Sequence, residues 1–245
     1  MTHSKPKLFL CGLARNCAGS LLSNIPSILS LRQNWDLSGV ILENESTDDT
    51  PKILQALEKL CPSIQIHNPK PEEGLTRYER MAYLRNEALV IAEAEQVDWI
   101  CVADLDLFQF VGLDSYFPEK EAEAIMGLMP KPYVPWHPGE AIKYMGRDWV
   151  YYDLLAVEFK DGTRPHWIGD MQYPDTKDEF KKADKSSVVS AMLCNSAFGG
   201  MAFYKANKIR GKRYTGTDCE HIAFNKSIGG IYITDKVLGI YAPPN

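Results

Sequence analysis

Asp104-Leu105-Asp106 ends a run of apolar residues, Trp99-Ile100-Cys101-Val102-Ala103, that reads as a buried strand. Side chains alternate along an extended chain, so both carboxylates face one way and Leu105 turns back toward the core. Two carboxylates this close repel unless a cation lies between them. Hard oxygen ligands suit Mg2+ or Mn2+, whose remaining coordination substrate phosphates can fill. A pair of strand-end carboxylates capping a turn is the plain alternative, and an Asp-x-Asp triplet is common by chance.

Three other groups bear on that pair. The loop Glu43-Asn44-Glu45-Ser46-Thr47-Asp48-Asp49-Thr50 is rich in acceptors that could hold ribose hydroxyls or a base edge. Asp48, Asp49 or Thr50 could equally cap the helix that follows. Arg77, Arg80 and Arg85, with Asn86, lie on one expected helix. Arg77 and Arg85 can share a face there, as a fork for a diphosphate or a brace for the acidic loop. Surface pairing with Glu72, Glu73, Glu79 and Glu87 is the competing reading. Finally, Asp218-Cys219-Glu220-His221 offers a neutral imidazole that could complete a metal shell, and Asp218 or Glu220 as a general base.

These groups need a scaffold that brings them together. Lys7 to Leu13, Leu37 to Leu42, Ile64 to His67 and Asp98 to Ala103 read as strands. Between them lie a helix interrupted near Pro26, one opened by Pro51 and a long one over Thr76 to Ala94. Apolar strands alternating with helices predict an α/β fold with a mostly parallel sheet covered on both faces. Ligands of such sheets sit beyond the carboxyl ends of the strands, where the loops after the first, second and fourth strands fall. From Leu107 onward the pattern loosens. Tyr133, Trp136, Tyr144, Trp149, Tyr151, Tyr152, Trp167 and Tyr173 suit long loops around an acceptor cleft. Val188 to Tyr204 reads as two strands broken at Gly199-Gly200, and Ile231 to Ile233 as a last short one.

The 245 residues fit one domain, large enough to bury a core without disulfides or a structural metal. A net charge of −5 argues against a nucleic-acid partner, which needs a basic stripe. The short clusters Lys181-Lys182 with Lys185, and Lys208 to Arg213, read as solvated surface, though the second could meet a diphosphate or an anionic membrane surface. The cysteines at 11, 17, 61, 101, 194 and 219 show no C-x-x-C spacing and lie largely in apolar runs. They are expected to be reduced and buried, which favours a cytoplasmic protein, at most peripheral on a membrane. No stretch reads as a signal peptide or a membrane span.

In this order the pieces resemble GT-A glycosyltransferases over nearly the whole chain. The resemblance rests on Leu10-Cys11-Gly12-Leu13-Ala14-Arg15-Asn16, the Glu43–Thr50 loop in the place of a D-x-S-x-D-x-T turn, Leu84-Arg85-Asn86, the Asp-x-Asp and the late Glu220-His221. More loosely, Tyr151 to Ala156, Ser196 to Tyr204 and Cys219-Glu220-His221 are similar to capsule-associated mannosyltransferases. Those would carry a Cys-Trp-Asn-Gly-like turn where this chain has Ser196-Ala197-Phe198-Gly199-Gly200. The resemblance implies a single GT-A domain, with about 1–110 binding nucleotide-sugar and about 111–245 binding acceptor. It implies that Asp104 and Asp106 hold Mn2+ or Mg2+ with His221 as third ligand, and that Leu105 belongs to the same donor site. Leu13, Ala14, Arg15, Glu43, Asn44, Ser46 and Asp48 would hold the nucleoside. Arg85, with Arg77, would support the acidic loop or the phosphates. The implied donor is GDP-mannose or a UDP-hexose, and the implied acceptor a glycan or lipid-linked sugar. Inversion would need a base, for which Asp218, Glu220 or Asp153 could serve; the capsule-type likeness leans toward retention. A sugar-phosphate nucleotidyltransferase is disfavoured because Gly12-Leu13-Ala14-Arg15-Asn16 holds a single glycine. A non-catalytic sugar-binding domain would account for the aromatic segment alone.

Overall fold

Apolar runs long enough to bury both faces form the strands, and amphipathic segments cover them. The computed structural model describes residues 4–130, 142–144, 147–151, 153–164 and 192–241. In the first half, β1 (Lys7–Ala14), β2 (Asp36–Glu43), β3 (Ile64–His67) and β4 (Trp99–Asp104) run parallel in the spatial order β3-β2-β1-β4. The crossovers are α1 (Ala18–Ser30), α2 (Thr50–Leu60) and α3 (Arg77–Ala94). Alternate strand residues feed two cores. Leu8, Leu10, Ile41 and Ile64 pack with Leu21 and Ile28 of α1 and Leu54 and Leu57 of α2. Phe9, Cys11, Val40 and Leu42 pack on the other face with Ala82, Ala88 and Leu89 of α3.

The same sheet continues into the second half as β5 (Gln109–Val111), β6 (Ala122–Pro130), β7 (Ile142–Tyr144), β8 (Arg147–Tyr151), β9 (Met192–Cys194), β10 (Met201–Lys205) and β11 (Ile231–Ile240). β10 lies antiparallel between β4 and β6, and β11 runs parallel to β6. Two short helices follow β10, α4 (Ala206–Ile209) and α5 (Glu220–Ser227).

Three expectations change. Pro26 sits inside α1 without ending it. Its ring removes only the donor that Leu22's carbonyl would have used. β11 runs on to Ile240, because a register shift between Thr234 and Leu238 lets Asp235-Lys236 pass without ending the pairing with β6. Thr76 is the cap of α3, not its first residue: its hydroxyl accepts from the Glu79 amide while the Glu79 carboxylate accepts from the Thr76 amide.

All six cysteines are buried free thiols. Tyr133, Trp136, Tyr152, Trp167, Tyr173, residues 188–191 and the cluster Lys181, Lys182 and Lys185 lie outside the described residues. Lys208 and Arg213 of the second basic cluster pair with Glu121 and Glu93. Among the described residues no helix is long and apolar enough to cross a membrane.

Candidate active site

Parallel register puts three strand ends side by side: Ala14 lies opposite Glu43, and Leu13 opposite Asp104. The loops beyond β1 and β2 are tied together by side chains. Asn16 N–H donates to Ser46 Oγ at 2.9 Å, Thr47 N–H to Asn16 Oδ1 at 2.8 Å and Cys17 N–H to Thr50 Oγ1 at 2.8 Å. Asp48 accepts from the amides of Ala18 (3.1 Å) and Thr50 (3.0 Å). Burial works against the Asp48 charge, yet these hydrogen bonds outweigh it and hold the carboxyl below its usual range. Left-handed backbone at Asn16 (φ 47°) and Glu45 (φ 53°) makes the two turns.

The loop residues expected to hold a nucleoside therefore divide. Ser46 and Asp48 help hold the loops together. Glu43 is buried and accepts from Ser46 N–H through Oε1 (2.7 Å). Asn44 is buried with its Nδ2 unpartnered, an orphan donor at this edge. Leu13 and Ala14 are buried, and their carbonyls take the Leu105 and Asn44 amides; Arg15 is exposed.

β4 stops at Asp104, so Asp106 lies in the turn beyond and reaches solvent. Leu105 is fully buried between them, its side chain facing the core as the strand alternation predicts. Burial lifts the Asp104 carboxyl to about 6; Arg85 opposes the shift, while Asp106 and Glu220 reinforce it. Asp106 is raised as well, chiefly by desolvation, against the pull of Arg85 and Arg77.

Arg85 is the hub. It is 2% exposed. Its Nη2 donates to both Asp104 oxygens (2.9 and 3.2 Å) and its Nε to Glu220 Oε1 (3.0 Å). Phe198 and Tyr214 flank the guanidinium at 5.0 and 5.8 Å from their ring centres. Burial disfavours its charge, but Asp104 and Glu220 outweigh that and keep it protonated. Arg85 thus braces Asp104 and the start of α5, not the acidic loop, which corrects that expectation. Arg77 is exposed one turn into solvent at the start of α3, so the two arginines do not form a fork.

The three base candidates separate. Asp218 pairs with Arg164 and accepts from Cys219 N–H. Burial raises it somewhat, but Arg164 wins and holds it low, a neutralised pair and not a free base. Glu220 is buried and engaged by Arg85. Asp153 is half-buried, and desolvation with the charges of Asp104 and Glu220 lifts it to about 7.

His221 does not join the aspartates. It stacks on Phe198 (3.8 Å between ring centres), meets Tyr214 edge-on, and leaves both ring nitrogens without a partner. Burial, then the Arg85 charge, push its pKa well below the usual imidazole value. Among the described residues no group of three His, Cys, Asp or Glu side chains is gathered as a metal site. Aromatic packing holds His221 in the core, with Glu220 Oε1 3.7 Å from its Nε2.

No protein-family model and no curated protein sequence matches the chain. Solved structures do. A mannosyltransferase of Pyrobaculum calidifontis, in complex with GDP-mannose and Mn2+, superposes with a TM-score of 0.56 at 13% identity, covering 99% of this chain and 58% of that one. GalNAc-T7 with UDP, GalNAc and Mn2+ gives 0.59 at 12% identity, over 97% of this chain and 44% of that one. S. aureus TarS 1–349 gives 0.51 at 11%, over 96% and 60%.

This chain has the GT-A fold. It spans about half the length of the solved structures it resembles.

On that fold, several residues at the site carried no signal in the sequence. Gly200 accepts the Asp104 amide through its carbonyl (2.8 Å) at φ 91°. Phe198 and Tyr214 enclose Arg85 but read as ordinary core aromatics. Ser20 and Asn24 of α1 reach the carbonyls of residues 105–107. Their one signal was available: Asn24 is a polar residue on the face that carries Leu21 and Ile28.

Proposed function

We propose that this chain is a divalent-metal-dependent glycosyltransferase that takes its sugar from a nucleoside diphosphate donor. The observation that carries the reading is the Asp104/Asp106 pair at the end of β4, beside Glu43 and Asn44, on a GT-A sheet. The donor set fits Mn2+ or Mg2+: two hard carboxylate donors, both raised chiefly by desolvation, to which phosphate and water would add the other ligands. Bound there by Asp104 and Asp106, the ion would neutralise charge developing on the diphosphate leaving group. Glu43 and Asn44, with the backbone of Leu13 to Arg15, hold the nucleoside. Arg77 supplies positive charge near Asp106.

Asp153 is the base. Its carboxylate takes the proton of the acceptor hydroxyl as that oxygen attacks the anomeric carbon. The bond from that carbon to the diphosphate oxygen breaks, and the diphosphate leaves with the electron pair, inverting the centre. GDP-mannose or a UDP-hexose is the donor, and a glycan or lipid-linked sugar the acceptor. Thermal-shift screening of GDP-mannose, UDP-glucose and UDP-galactose with Mn2+ identifies the nucleotide, and donor turnover with and without EDTA tests the metal. Stabilisation by none of the donors, or full turnover in EDTA, refutes the proposal.

A further inference from the structure

The loop that carries the two aspartates is fixed at successive backbone groups. Asp104 N–H donates to Gly200 O, Leu105 N–H to Leu13 O (3.0 Å) and Phe108 N–H to Ile240 O (2.8 Å). Its carbonyls are served by a single helix. Ser20 Oγ donates to Asp106 O at 2.9 Å, and Asn24 Nδ2 donates to Leu105 O at 3.4 Å and to Leu107 O. Ser20 and Asn24 are four residues apart, so both reach the loop from one face of α1.

Packing does not account for Asn24. It is fully buried, on a face otherwise apolar, with its Oδ1 unpartnered. An aliphatic residue there would avoid that desolvation cost. What the amide provides is two donors aimed at carbonyls on either side of Asp106. Carbonyl orientation fixes the peptide planes, and those planes fix where the Asp106 side chain points. A chelating pair binds tightly only when both carboxylates are held for the ion before it arrives.

We propose that Asn24 and Ser20 are positioning residues that preorganise Asp104-Leu105-Asp106 for the metal, an inference that rests on the reading of those aspartates as its ligands. Mn2+ binding, followed by the loss of the free-ion EPR signal in the presence of saturating GDP or UDP, tests it on the full chain. Asp106→Ala abolishes binding. Asn24→Leu weakens it by about ten- to a hundredfold, the usual effect of removing a group that orients a metal ligand. Ser20→Ala weakens it in the same direction, and Ser20→Thr, which keeps the hydroxyl, restores it. Ile28→Ala, on the same buried face, lowers Tm but leaves Mn2+ affinity unchanged. Native affinity in both Asn24→Leu and Ser20→Ala overturns the positioning role while leaving the metal site standing. If Asn24→Leu does not fold, equal affinities of Ser20→Ala and Ser20→Thr overturn it. Native affinity in Asp106→Ala, or no binding by the native chain, removes the metal reading itself.

Discussion

Replacing Arg85 by Met leaves two buried carboxylates facing each other across an apolar side chain. In the native chain one guanidinium serves both Asp104, whose side chain is 20% exposed, and Glu220, 7% exposed. Removing one partner of a buried ion pair costs about 3–5 kcal/mol, because an uncompensated charge stays behind. For a domain of this size each kcal/mol lowers Tm by about 2–4 °C, so Arg85→Met is expected to melt roughly 6–20 °C below the native chain near pH 8. The loss shrinks on acidification. Arg85 is the main force holding Asp104 down, and Asp104 already sits at about 6. Without Arg85 the carboxyl rises further and takes up a proton, which removes the repulsion. Urea unfolding of both proteins at pH 5 and pH 8 measures this directly. A loss under about 1 kcal/mol, or an equal loss at both pH values, would refute the hub role of Arg85.

Other outcomes follow from the same geometry. Asp106→Ala abolishes Mn2+-dependent donor turnover with Tm within a degree or two of native, since its carboxylate is exposed and makes no ion pair among the described residues; calorimetry and a turnover assay check it. Asp153→Asn lowers kcat by about 10²–10⁴-fold, and native kcat/KM rises with pH through about 7 as Asp153 loses its proton. Because that carboxyl is raised from 3.8, its folded-state penalty grows between pH 4 and 7 and is full above 7. Asp153→Asn should therefore melt above the native chain at pH 8 and level with it at pH 4. Gly199→Ala costs at least about 2 kcal/mol, since a Cβ there would lie 2.1 Å from the Ile125 carbonyl oxygen and 2.3 Å from the Gly127 nitrogen.

The first half of the fold was legible because its strands are buried on both faces and its helices are amphipathic, so periodicity alone placed them. The second half was not. β11 hides behind Asp235-Lys236 at its register shift, and β5 is three residues long. At the site, Asp104 and Asp106 stood out in the sequence because they directly follow a buried apolar strand. The packing around His221 was not visible. A histidine after two acids looks like a ligand, but the Phe198 ring that stacks on it is distant in sequence. The partners of Arg85 were not legible: sequence places it on a helix, and only the packing of α3 against the sheet decides that it meets Asp104 and Glu220.

The same packing gathers carboxylates around Arg85, and the proposed cation would answer their charge. Asp104 feels the charges of Asp106 and Glu220, and Asp153 those of Asp104 and Glu220, while among the described residues Arg85 is the buried cation and Arg77 contributes from the surface. Hydrophobic packing cannot relieve that repulsion, and surface charge is screened by water. Desolvation is the first cause of the raised carboxyls at Asp104, Asp106 and Asp153, and neighbouring carboxylates add to it at Asp104 and Asp153. A divalent cation between Asp104 and Asp106 lowers those two directly and relaxes Asp153 through Asp104, the second-largest cause of its shift. Metal loading should therefore move the pH midpoint of kcat/KM downward as Mn2+ rises toward saturation, because a base freed of its neighbour's charge loses its proton earlier. A midpoint that stays fixed across Mn2+ concentrations would show that Asp153 and the metal do not communicate.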